Sequence, residues 1–178
     1  MKKIVYLALF ALLFLGSCTS TKKITAPASQ PTAEDRLMSI ASGYEVQTMG
    51  VGTDGTYLIK VTDYFPTSDE RVYIEGLKKD AVHCVIFKGI PAGNGSLKQP
   101  ALRTNDTKIE DKEQAFHDFF ANKQYLNFVS SIVNSSKTIT RIQSSKNFKI
   151  SLTMSVDKDK LRKYLTDNNM IKSLNYIF

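Results

Sequence analysis

The chain has 178 residues, 24 Lys and Arg against 17 Asp and Glu, a formal charge of +7 and only two cysteines. That length is one domain with an appendage, and two cysteines allow one disulfide at most. The basic excess is spread along the chain without an Arg-rich stripe or interleaved aromatics, which argues for a solvated face and against nucleic acid.

Lys2 and Lys3 precede an unbroken apolar run from Ile4 to Leu15. A secretory apolar region is about 7–15 residues and a spanning helix needs about 20, so the run reads as a signal peptide and not as a membrane span. It closes on Leu15-Gly16-Ser17-Cys18, which resembles the bacterial lipobox. The resemblance implies cleavage before Cys18 and lipidation of that cysteine, with residues 1–17 as the signal peptide. Several acyl chains anchor stably where one does not, because each buried CH₂ contributes about 0.8 kcal/mol. Thr19, not Asp, follows the cysteine, which by resemblance to enteric sorting rules implies the outer membrane, and the basic Lys22 and Lys23 are unlike the acidic export tags of surface-displayed lipoproteins in Bacteroidetes-type cells. The expected place is the outer membrane, on its periplasmic face. If Cys18 is lipidated, Cys84 has no partner and is expected to be a buried small hydrophobe.

Thr19 to Pro31 is Thr-, Ser-, Ala- and Pro-rich, a linker composition. Residues 18–42 are therefore expected to be lipidated cysteine and tether, with one short helix over Thr32–Ala41, and 43–178 to be a single domain. Tyr44–Val51 and Thr56–Tyr64 read as a hairpin around Asp54-Gly55. Thr67 to Glu70 has the form of a capping box. It opens a helix to about Lys88, with Gly89 as its left-handed terminator. Tyr73, Ile74, Leu77, Ala81, Cys84 and Val85 recur at helical steps, and Asp80 falls on the polar side with Lys78 and Lys79. Residues 97–106 look irregular and exposed. A second helix is predicted from Lys108 to Asn122 with Phe116, Phe119 and Phe120 inward. Residues 125–133 fit either a strand or a continuation of that helix, and the strand is preferred. Ser135-Ser136 predicts a turn, Thr138–Ile142 and Phe148–Val156 a further hairpin, and Asp157 the cap of a last helix with Leu161, Tyr164 and Leu165 inward. The fold class expected is α+β, two layers, with a mostly antiparallel sheet of about four to five strands and about three helices.

No catalytic constellation is expected. His83 and Cys84 are neighbours, about 100° apart on a helix, so they do not form a nucleophile–base pair. His117 has no metal-ligand spacing to His83, and the Asp106, Glu110, Asp111 and Glu113 cluster lacks calcium-loop spacing and suits a helix N-terminus. No metal and no cofactor are expected. The glycine-rich loop Gly89–Ser96 follows a helix and lacks the Lys-Ser/Thr ending of a phosphate loop. Its glycines can simply turn the chain, but Gly89, Gly93, Asn94, Gly95 and Ser96 are the one candidate partner-binding loop, because rigidly held loops collect binding residues.

Three runs carry a further resemblance: Gly50-Val51-Gly52-Thr53-Asp54-Gly55-Thr56-Tyr57-Leu58-Ile59-Lys60-Val61; Ala81-Val82-His83 with Ile86 through Gly95; and Ser155-Val156-Asp157-Lys158 through Leu161-Arg162-Lys163-Tyr164-Leu165. They resemble uncharacterised small lipoproteins of Bacteroidales. The order hairpin, long helix, closing strand and helix more distantly resembles the N-terminal domain of flagellar assembly protein T and its lipoprotein relatives. Neither family pattern supplies catalytic residues. The expected function is a membrane-anchored, non-catalytic accessory or scaffold in a cell-envelope assembly, with a protein partner and no nucleic acid. The alternative is an envelope enzyme or ligand-binding protein with its site near Gly89–Ser96 and His83. A fimbrial subunit is disfavoured, because the predicted helices do not suit an all-β polymer.

Overall fold

Ile59 and Val61 alternate with Lys60 and Thr62 along one strand, and Leu152 and Met154 alternate with Ser151 and Thr153 along another. In the computed structural model, which describes residues 30–52, 55–103 and 111–173, these two strands lie side by side. Ile59 sits opposite Met154 and Val61 opposite Leu152, and all four are fully buried. Side chains two apart share a face of a strand, so this register puts the apolar members of both strands into one core layer.

The chain order is α1 (Ala33–Met38), β1 (Glu45–Val51), β2 (Thr56–Phe65), α2 (Glu70–His83), a π-turn (Cys84–Lys88), α3 (Glu113–Ala121), a 3-10 turn (Gln124–Phe128), β3 (Val129–Arg141), β4 (Phe148–Asp157) and α4 (Lys158–Asp167). The strands form one antiparallel sheet in the order β1-β2-β4-β3. The long central pair β2–β4 runs in unbroken register from Thr56 opposite Asp157 to Phe65 opposite Phe148. Helix α2 packs on β2 and β4, and α4 packs on β2. The fold is α+β, a mostly antiparallel sheet with packed helices. Between sheet and helices lie Leu77, Ala81, Val82, Val85, Ile86, Ile150, Val156, Leu161 and Leu165, all fully buried. Phe116, Phe119, Phe128 and Tyr164 close one side of this layer with ring centroids of 5.1–6.0 Å among neighbouring aromatics, an arrangement that adds to area burial.

The caps explain where the helices begin. Thr32 caps α1 in a full capping box with Asp35, and Asp157 caps α4 by accepting from the Lys160 amide at 2.9 Å. Helix α2 differs from the sequence expectation. Asp69, not Thr67, is its cap and accepts from the Arg71 amide at 2.9 Å, while the Thr67 hydroxyl accepts from the Asp69 amide at 3.1 Å. Both residues are good caps, and the helix takes the one nearer its first free amides.

Other expectations are corrected in the same way. The compact unit begins at Pro31, upstream of residue 43, because α1 is not tether: Leu37 is fully buried. Helix α3 starts at Glu113, and residues 104–110 lie outside the described residues. Residues 125–133 divide between the two options, the 3-10 turn through Phe128 and β3 from Val129. Ser135-Ser136 is not a turn but part of a register irregularity within β3, where the Ser136 hydroxyl accepts from the Thr153 amide at 2.8 Å and so replaces a lost ladder bond. Leu102 is 2% exposed, so the segment after residue 97 is not all surface. Asp80 belongs to the buried face of α2.

Candidate functional site

The end of α2 is apolar almost all round, and its last turn widens. The Gly89 amide bonds back to the Cys84 carbonyl at 2.7 Å, a five-residue step in place of four. A π-turn of this kind is rare and occurs mostly at functional sites. It leaves carbonyls without intrahelical partners, and the chain returns to take them: the Leu102 amide reaches Val85 O at 3.1 Å and the Arg103 amide reaches Ile86 O at 3.0 Å. Gly89 then turns the chain at φ +79°. A Cβ there would collide with the backbone of Gln99, Pro100 and Ala101, so the position demands glycine on two counts.

Between the turn and the return the chain makes a small flap. Ile90 bridges Gln99, and Gly93 bridges Ser96. At its tip Asn94 and Gly95 both have positive φ, +47° and +77°, the pattern of a type I′ turn, for which Asn-Gly is the favoured pair. The Asn94 amide nitrogen donates to Thr48 O at 2.7 Å, and the Thr48 hydroxyl donates to Pro91 O. Thr48 lies on β1, an outer strand of the sheet, so the flap is tied to a sheet edge that would otherwise present unpaired backbone groups. The five residues of the candidate loop are thus held together. Gly89 is its hinge, Gly93 and Ser96 pair through their backbones, Asn94 is its tie to β1, and Gly95 completes the turn. Leu97, just past the turn, is 83% exposed, and Met49 and Val51 on β1 are 41% and 59% exposed.

His83 faces the other way, into the core. Its Nε2 lies 3.1 Å from Leu37 O and its Nδ1 lies 2.7 Å from the Tyr44 hydroxyl. A carbonyl only accepts, so Nε2 carries the proton and Nδ1 accepts from tyrosine. The ring is fully buried and sits against Phe87 and Phe120 at centroid distances of 4.8 and 5.9 Å. Burial, with Lys88 and Lys79 adding repulsion, lowers its pKa to about 4 despite the Leu37 bond. The imidazole is therefore neutral at physiological pH, with both nitrogens engaged.

Cys84 donates to Gly89 O at 3.1 Å, and burial pushes its thiol up to about 11. A thiol kept protonated is a poor nucleophile. Asp80 is the residue the helical periodicity misplaced. It is 3% exposed, its Oδ2 is buried without a hydrogen-bond partner, and burial followed by the charge and hydrogen bond of Asp63 raises its pKa to about 8. His117 and Glu113 do come together, at 3.6 Å, but Glu113 is already held by Arg36 of α1 at 2.5 Å. Asp106 and Glu110 lie outside the described residues, as does Cys18. Among the described residues no three His, Cys, Asp or Glu side chains group as metal ligands, and no helix is long and apolar enough to cross a membrane.

One groove adjoins these residues. It is about 250 Å³ and lies between Tyr44 and Val46, the π-turn, and Pro91 and Lys98 of the flap. Lys88 holds its ammonium 3.7 Å from the centre of the Tyr44 ring, a cation–π contact. No local spacing joins Tyr44 to His83 or Lys88, because the residues are about forty positions apart. The signal that was present is Asn94-Gly95, the strongest short hairpin pair. Compared with known protein families, curated proteins and solved structures, the chain matches none of them.

Proposed function

We propose that the protein is a lipoprotein held in the outer membrane through Cys18, whose domain serves as a non-catalytic docking unit in a cell-envelope assembly. The observation that carries the reading is the exposed apolar set Met49, Val51 and Leu97 on β1 and the flap. Apolar side chains of that size, kept in water on a pinned and rigid element, suit contact with a partner protein. The neighbours His83 and Cys84 support the same reading, since hydrogen bonds inside the fold occupy both side chains. The lipobox-like ending at Cys18 and a compact unit that begins at Pro31 leave a short linker to stand the domain off the membrane. The likeness to small Bacteroidales lipoproteins belongs to this proposal.

In-cell crosslinking followed by purification from membranes tests it. The wild-type protein is expected to bring down a defined partner. Leu97→Ser is expected to lose it while changing stability by less than about 0.5 kcal/mol, as surface substitutions do. Equal recovery with Leu97→Ser and Met49→Ser combined would remove this surface from the proposal.

A further inference from the structure

We propose that the groove between β1, the π-turn and the flap is a binding site for a phosphomonoester group, with Lys88 and Lys98 as its two cationic contacts. The proposal goes beyond the docking role and does not depend on the anchor.

Charge is the first argument. The other ionisable groups of the lining are the Tyr44 hydroxyl and the Cys84 thiol, and burial keeps both protonated. Neither Lys88 nor Lys98 has a carboxylate within ion-pair distance among the described residues, whereas Lys123, Lys137, Lys149 and Lys163 each do. The groove therefore carries two positive charges and no internal counter-charge. Asp80, the acid nearest in sequence on the same helix, is buried and protonated at neutral pH, so it offers Lys88 little compensation.

Geometry is the second argument. Lys88 ends the π-turn, and its ammonium is held over the Tyr44 ring. Lys98 lines the groove from the flap, next to Gln99, whose backbone pairs with Ile90. Both elements are thus fixed by backbone bonds, so a ligand need not order them. Two ammoniums without a guanidinium fork act as point charges, which suits a tetrahedral dianion better than planar bidentate recognition of a carboxylate. Val46 and Pro91 add an apolar wall for the carbon skeleton next to the phosphate. A soluble sugar or glycerol phosphate and a phosphatidic-acid-type headgroup both have this chemistry.

Thermal shift and calorimetric titration of the purified full chain with inorganic phosphate read the site. The expected result is a concentration-dependent rise in melting temperature and saturable heat. In Lys88→Gln/Lys98→Gln affinity should fall at least tenfold. The charge-matched control Lys78→Gln/Lys146→Gln, whose residues do not line the groove, should bind like wild type. Melting in phosphate-free buffer shows that the double variant is folded. Tighter binding of short-chain phosphatidic acid than of glycerol 3-phosphate would assign the site to a lipid headgroup, and equal binding would assign it to a soluble ester. Absence of any phosphate-dependent shift in wild type, or the same loss in both double variants, would overturn the proposal.

Discussion

Asp80 and His83 are one helical turn apart on α2, and both are buried in their neutral forms, which gives the protein a defined response to pH. Asp80 titrates in the fold near 8, above its ordinary 3.8. The folded chain therefore keeps a proton that the unfolded chain loses between those values, and stability falls as pH rises through that window. His83 titrates in the fold near 4, below its ordinary 6.5. Its contribution is complete above 6.5 and is lost as pH falls toward 4. The two slopes oppose each other below 6.5, and only Asp80 acts between 6.5 and 8, with Asp63, Lys79 and Lys88 as the charges that face it. A melting series over that upper window should lose about 2 kcal/mol, at about 1.4 kcal/mol per proton per pH unit. Asp80→Asn should flatten the series, and an unchanged fall in that variant would refute the assignment. The hydrogen bond from Tyr44 to His83 makes a separate prediction. Tyr44→Phe strands Nδ1 as a buried acceptor and should cost about 1–3 kcal/mol in denaturant unfolding, while a change below about 0.5 kcal/mol would mean that the bond is not made in solution. None of this was legible from periodicity. A helical wheel puts Asp80 beside Lys79, and only the layers packed around α2 reveal that its face, too, is covered.

At the scale of elements, the hairpin β1–β2, the long helix, the cap at Asp157 and the inward residues of β4 were legible because each has a local cause: alternation, 3.6-residue spacing or a capping side chain. The elements that went astray are those decided by tertiary pairing. The irregularity within β3 looked like a turn because Ser135-Ser136 has turn composition, and the strand persists because β4 pairs with it on both sides of the slip. The flap looked like a loop because its two bridges are isolated and leave no alternating run. Its parts now separate by substitution. Gly89→Val places a β-branched side chain at φ +79° against the backbone of Gln99 and should cost about 3 kcal/mol or more. Asn94→Gly keeps the turn but loses the bond to Thr48 O and should cost about 1 kcal/mol. Asn94→Ala loses both and should cost about 2 kcal/mol. Chemical denaturation of the three variants gives the order, and equal stability of Asn94→Ala and wild type would mean that the flap is not tied to β1.

At the scale of the whole molecule, the protein is a basic α+β domain in which three exposed apolar residues, Met49, Val51 and Leu97, and the two groove lysines, Lys88 and Lys98, lie on β1, the π-turn and the flap. What the sequence offers beyond the fold is chiefly an expectation about address, because a signal-peptide-like run and a lipobox-like ending are read along a line. The groove had no such signature: Tyr44, Lys88 and Lys98 share no spacing, and only the π-turn and the flap bring them to one place. The central claim is that this domain works from a membrane to which Cys18 ties it. The most direct measurement is fractionation of cells producing wild type and Cys18→Ala, with the mass of the N-terminal peptide determined for each. Wild type is expected to be membrane-bound and to begin at an acylated Cys18, and Cys18→Ala to be unprocessed or released from the membrane. Wild-type protein with an unmodified Cys18, or a Cys18→Ala variant that is still cleaved and membrane-bound, would contradict that claim.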